Sequence, residues 1–165
     1  MILLRHTRTV GGEGRCCGRT DLALADTFEA EAAAVLAALP PVSRVVTSPL
    51  TRCARLTERI GRARGLPVET DARLAEMDFG RWEGMAWDAV PRAELDAWAA
   101  DFHDARPHGG ESVAQLAARV ADALAELGGH DLAVTHNGVI RAALAAAGRP
   151  GAWEAQVAFG AFVRL

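Results

Sequence analysis

Lysine is absent from this 165-residue chain: all eighteen basic residues are arginines. That absence removes mechanisms. A Walker-type P-loop needs its lysine, and Schiff-base or pyridoxal-phosphate chemistry needs a lysine amine. Any anion site here has to be assembled from arginine, histidine and backbone N–H groups, and arginine's planar fork suits bidentate contact with phosphate or carboxylate. Cysteine is scarce. Cys16, Cys17 and Cys53 are odd in number and lack C-x-x-C or zinc spacing, which fits a reduced, cytoplasmic protein. Long apolar runs are missing too. The opening "MILL" is too short for a signal-peptide core, and the alanine-rich "AEAAAVLAALPPV" carries Glu31 and ends at two prolines. Neither a leader nor a membrane span is expected. A net charge of −3 without basic clusters argues against a nucleic-acid partner.

What is present is globular: half the residues are apolar and 24% are charged, and the length fits one domain over residues 1–165. "MILLR", "SRVVTS", "LPVET" and "DLAVT" read as strands, and "QVAFGAFVRL" as a closing strand. Between them lie helical stretches. "DTFEAEAAAVLAALPP" is stopped by Pro40 and Pro41. "SPLTRCARLTERIGRARG" has Ser48 as a cap, Pro49 in the first turn and Gly65 as the stop. Short helices are expected at Trp82–Val90 and Arg92–Ala100. "ESVAQLAARVADALAELGG" repeats apolar residues at helical spacing, and "NGVIRAALAAAG" is a further helix. Strands alternating with helices predict a three-layer α/β/α sandwich with a mostly parallel central sheet.

In such sheets ligands bind beyond the carboxyl ends of the strands. "MILLRH" and "DLAVTH" both end in a histidine, and "RVVTSPLTR" runs into a helix N-terminus with Arg52 in its first turn. Arg5, His6, Arg52 and His136 should therefore meet at one rim, where the helix behind Ser48 adds N–H groups for an anion. Two arginines, two histidines and no lysine suggest a phosphate pocket. Plainer readings stand beside this one. His136 either touches phosphate or orients a neighbour. Arg19 reads substrate or pairs with Asp21, and Glu76 is an arginine's salt-bridge partner. Glu111 and Ser112 cap a helix. His103, His108 and His130 are loop residues. Trp82, Trp87 and Trp98 belong to the core or a pocket wall.

At these residues the chain resembles the histidine phosphatase superfamily, which includes the phosphoglycerate mutases. "RHTRT" corresponds to its R-H-G-x-T, "GRTDLAL" to G-R-x-D-x-P-L and "SPLTRCARLT" to S-P-L-x-R-A-x-x-T. "LAEMDFGRWEG", "GGES" and "VTHNG" come next in family order. Singly such motifs are weak; six in order are strong. The resemblance implies His6 as a nucleophile that becomes phosphohistidine, with phosphate held by Arg5, Thr9, Arg19, Arg52 and His136. It implies Glu76 as general acid, with Glu83 of "WEG" as the competing carboxylate. No metal or cofactor is implied, since arginines supply the positive charge. The partner is a small phosphorylated metabolite. "CCGRTDL" and the RHT variant look most like α-ribazole phosphatases, which act on a precursor of cobalamin's lower ligand. The chain departs from the pattern at Thr7 (glycine in the family), Gly12 (asparagine), Phe28 and Glu31. A permissive φ is expected at Thr7, a lost phosphate contact at Gly12 and altered packing at Phe28 and Glu31. The segment between Gly84 and Gly109 is short for a mutase. Two rival functions stand beside the phosphatase: a mutase-type phosphoryl transferase, and a non-catalytic phospho-ligand or protein-binding module.

Overall fold

The computed structural model describes residues 1–165. Strands β1 (Ile2–Arg5), β2 (Arg44–Thr47), β3 (Val68–Thr70), β4 (Asp131–Thr135) and β5 (Phe162–Arg164) form one sheet. Its order is β3-β2-β4-β1-β5, parallel throughout except for antiparallel β5. The expected α/β/α architecture is present, and its cause is visible in the strands. The apolar residues of β1, β2 and β4 are buried on both faces, as a covered parallel sheet requires. Successive residues serve opposite cores. Ile2, Leu4, Val45, Leu132 and Val134 pack with α1 (Phe28–Ala38) and α2 (Thr51–Arg64). Leu3, Val46 and Ala133 pack with α4 (Val113–Leu124) and α5 (Asn137–Ala146). Between β3 and α4, helix α3 (Arg92–Ala100) and several 3₁₀ turns form a side wall.

Three local expectations are corrected. Helix α2 starts at Thr51 rather than beside Pro49, and Ser48 turns its hydroxyl inward. Asp21, from a distant loop, takes over the cap, accepting from Thr51 N at 2.9 Å and from Thr51 Oγ1 at 2.6 Å. The Trp82–Val90 stretch makes only the 3₁₀ turns Gly80–Trp82 and Trp87–Ala89. Gly80 there needs a left-handed φ of 49° and close approach to the His108 carbonyl, where a Cβ would lie at 2.3 Å. The closing strand shrinks to three residues, because Gly160 turns the chain at φ 69°. His108 lies in a loop as expected but is buried against Trp82, with ring centroids 4.9 Å apart.

No helix is long and apolar enough to cross a membrane. Parallel register places Arg5 opposite Thr135 and Thr47 opposite Val134. The carboxyl ends of β1, β2 and β4 therefore open at one edge of the sheet.

Candidate active site

His6 comes directly after β1 and is held by two backbone links. Its N–H donates to Thr135 O at 3.0 Å, and its ring Nδ1 lies 2.7 Å from Thr7 O. A carbonyl can only accept, so Nδ1 carries the proton and Nε2 keeps its lone pair. Burial first, then the Arg52 guanidinium, push His6 down to about 3. The imidazole is therefore neutral at ordinary pH, with one free basic nitrogen. It lines a cavity of about 280 Å³ together with Arg5, Arg8, Arg15, Arg52, Glu76 and Phe159, among others.

His136 comes directly after β4, next to β1, with its ring centroid 5.2 Å from that of His6. Its environment differs. The side chain is fully buried and outside the cavity wall. Arg52 Nε donates to its Nδ1 at 3.2 Å, so the proton is on Nε2, which faces Ser48 Oγ at 2.8 Å. Both nitrogens are engaged, and the orienting reading of His136 describes its position. Burial, then Arg52, then His6 hold it well below the usual histidine range. Arg52 itself is almost fully buried. Its Nη1 donates to Thr20 O at 2.7 Å and its Nη2 to Gly18 O at 2.6 Å. Arg5 donates from Nη1 to Val157 O at 2.6 Å and stacks over the Phe159 ring at 3.9 Å. Its Nε is buried with no partner, an unspent donor beside the cavity.

The two candidate carboxylates are in opposite circumstances. Glu83 accepts from the backbone N–H of Gly18 (3.1 Å), Arg19 (2.9 Å), Thr20 (3.0 Å) and Phe79 (3.1 Å), and from the Thr20 hydroxyl. It builds the loop whose carbonyls grip Arg52. Gly18 has no alternative there, because a Cβ would lie 1.8 Å from Met77 O. Glu76 lines the cavity and accepts only from Met77 N at 3.0 Å and from Gly138 N, in the first turn of α5, at 3.1 Å. It belongs to none of the molecule's ion pairs, which removes the salt-bridge reading.

Other expected residues are mixed. Thr9 and Gly12 line the cavity, and a Cβ at Gly12 would crowd Leu22 at 2.9 Å. Arg19 is exposed and outside the cavity wall, while Asp21 is spent on α2, so Arg19 fits neither of its readings. That use of Asp21 also fills the α2 N-terminus expected to meet an anion. Thr7 has no positive φ, as expected, and its hydroxyl is buried without a partner. Ser112 does cap α4, through a capping box with Gln115. Glu111 does not cap: it pairs with Arg119 at 2.6 Å. Arg119 also donates to the carbonyls of Arg73 (2.6 Å), Ala75 (2.7 Å) and Glu76 (3.1 Å). This clamp holds the Glu76 loop against α4. Arg119 escapes sequence reading, because nothing in a helical arginine marks it as a backbone ligand. Arg8 does too; it is tethered by Glu31, which accepts from its N–H at 3.0 Å and its Nη1 at 3.1 Å. Phe28 is a core residue of α1.

The model of the histidine phosphatase superfamily (branch 1) matches residues 1–157. A glucosyl-3-phosphoglycerate phosphatase of Mycobacterium tuberculosis is 36% identical over 89% of this chain and 74% of its own length. A probable phosphoglycerate mutase of Salmonella choleraesuis is 32% identical over 82% of this chain and 68% of its own. Among solved structures, a phosphoglycerate mutase from Thermus thermophilus superposes with a TM-score of 0.80 at 32% identity, covering 99% of this chain and 91% of that one. The mycobacterial glucosyl-3-phosphoglycerate phosphatase gives 0.79 at 27% identity, covering 98% and 87%. With its ordered motifs and its paired strand-end histidines, this chain belongs to the histidine phosphatase superfamily, branch 1.

Proposed function

We propose that the chain is a phosphomonoesterase that hydrolyses a small phosphorylated metabolite through a phosphohistidine at His6. The observation that carries this reading is the free, unprotonated Nε2 of a neutral histidine facing a cavity walled by four arginines. Phosphoryl transfer needs an in-line nucleophile, charge neutralisation on three equatorial oxygens and a proton for the leaving oxygen. The Nε2 lone pair forms the N–P bond as the ester P–O bond breaks. Arg5 and Arg52, which line the cavity, stabilise the oxygens. Glu76 gives its proton to the leaving oxygen, then takes one from water as that water's oxygen attacks phosphorus and releases His6. His136 acts through Arg52, whose Nε it receives. Thr9 sits in the wall as a further oxygen contact.

For the substrate, the sequence resemblance favours a compound of the α-ribazole 5′-phosphate type, placing the enzyme in cobalamin-related metabolism. The mycobacterial relatives favour a second reading, a phosphorylated sugar acid such as glucosyl-3-phosphoglycerate. The mutase-named relatives raise transfer to a second substrate. The test is a panel of phosphomonoesters and a mutase assay, each with and without EDTA. Phosphate release that survives chelation and vanishes in His6→Ala is expected. Phosphoglycerate interconversion without phosphate release would establish the mutase, and inertness towards the whole panel would favour a binding module.

A further inference from the structure

Beside the cavity at His6 lies a second one of about 400 Å³, and the two share Arg5, Arg15, Cys17 and Glu76. Its walls carry five aromatic rings, Phe79, Trp87, Trp98, Phe102 and Trp153, beside polar groups in nearly equal measure. These rings brace one another: Trp98 meets Phe79 at 6.2 Å and Phe102 at 5.6 Å, and Phe102 meets Trp153 at 5.6 Å. Trp87 is 37% exposed. Trp98 keeps a buried indole N–H without an acceptor. Arg141 and Gln156 line the same cavity. Arg141 spends its Nε on Ala155 O at 2.7 Å and leaves both Nη groups free.

Glu76 forms part of both cavities. A carboxyl that protonates the ester oxygen has phosphate on one side and the rest of the substrate on the other. We infer that the second cavity receives the alcohol portion of the substrate, and that this portion is a flat aromatic or heteroaromatic ring with an acceptor on its edge. This rests on Glu76 being the acid of the reaction proposed above. Aromatic walls favour a ring by stacking, and the free Nη groups of Arg141 can donate to an acceptor on its edge.

The test compares substrates with matched leaving oxygens, so that intrinsic reactivity cancels: adenosine 5′-monophosphate against ribose 5-phosphate, and 2-phenylethyl phosphate against ethyl phosphate, with 3-phosphoglycerate as the sugar-acid arm. The ring-bearing member of each pair should have a kcat/KM about tenfold higher or more, and Phe102→Ala should move both ratios towards one. Adenosine should also quench tryptophan fluorescence saturably, in wild type and in His6→Ala alike. Ratios at or below one in both pairs, or a preference for 3-phosphoglycerate over both ring-bearing esters, would overturn the inference. If no ester is turned over, the proposed reaction fails, and the fluorescence titration alone decides the pocket: saturable quenching supports it and none refutes it.

Discussion

At the ends of β1 and β4 two apolar strands each finish in a histidine, neighbours in the sheet with ring centroids 5.2 Å apart. One ring donates from Nδ1 to a carbonyl and turns a free Nε2 to a cavity; the other has both nitrogens bound and never meets solvent. The difference does not lie in the strands. It comes from the groups that surround each ring. Thr7 O fixes the tautomer of His6, while Arg52 and Ser48 fix the opposite one in His136. A ring with one free nitrogen and a ring with both nitrogens engaged are thus produced from one local pattern by their hydrogen-bond partners.

The contrast can be broken most forcefully at the histidines. His6→Ala should lower kcat on the order of 10⁴-fold or more, since the covalent step disappears. His136→Ala should cost about 10²-fold, the cost of a misplaced Arg52. Equal losses in steady-state assays would erase the distinction.

The carboxylates offer the next test. Glu76→Gln should reduce kcat/KM about 10²- to 10⁴-fold for alkyl phosphates and much less for 4-nitrophenyl phosphate, whose leaving group needs no proton. Glu83→Gln should show first as lost stability of about 1–3 kcal/mol in denaturant melts, since the half-buried N–H groups of Gly18 and Thr20 share one carboxylate oxygen and an amide NH2 cannot accept from them while its oxygen serves the other donors. The reverse pattern would exchange their roles.

A subtler variant separates activity from stability. Gly138→Ala places a Cβ 2.3 Å from Glu76 Oε1, which must move. Alanine also favours the helix, by less than the roughly 1 kcal/mol of an interior position because residue 138 lies in the first turn of α5. Activity should fall about tenfold while the melting temperature holds or rises; unchanged activity would show that the position of Glu76 is immaterial.

The smallest effect is in pH. His6 and His136 both titrate lower when folded than the ordinary 6.5. Below 6.5 the unfolded chain binds protons that the folded chain refuses, so the two rings' contribution to stability falls as pH drops from 6.5, that of His6 until it takes its own proton at about 3. The His6 ring should stay neutral at pH 5 by NMR, and a midpoint near 6.5 would contradict its buried, arginine-flanked setting.

Much of this was legible in sequence, for a physical reason. Strands buried on both faces show as unbroken apolar runs, and the residues that end them are conspicuous, so Arg5, His6 and His136 announced themselves. Arg52 could be placed by its position near a helix start. Residues whose partners are backbone groups far along the chain were not legible. Arg119 binds carbonyls more than forty residues away, and Glu83 binds N–H groups more than sixty away. Nothing in their neighbours' side-chain chemistry records that. Ser48 misled because a serine before a helix usually caps it, whereas here a buried imidazole competes for the hydroxyl and Asp21 takes the helix.

The central assignment is best tested by trapping the intermediate. Wild-type enzyme mixed with a turnover substrate and quenched in base within milliseconds should carry a base-stable, acid-labile phosphate, located by peptide mapping and ³¹P NMR at Nε2 of His6. Phosphate on His136 at early times, or stoichiometric phosphate release with no trapped phosphoenzyme in Glu76→Gln during single turnover, would contradict it.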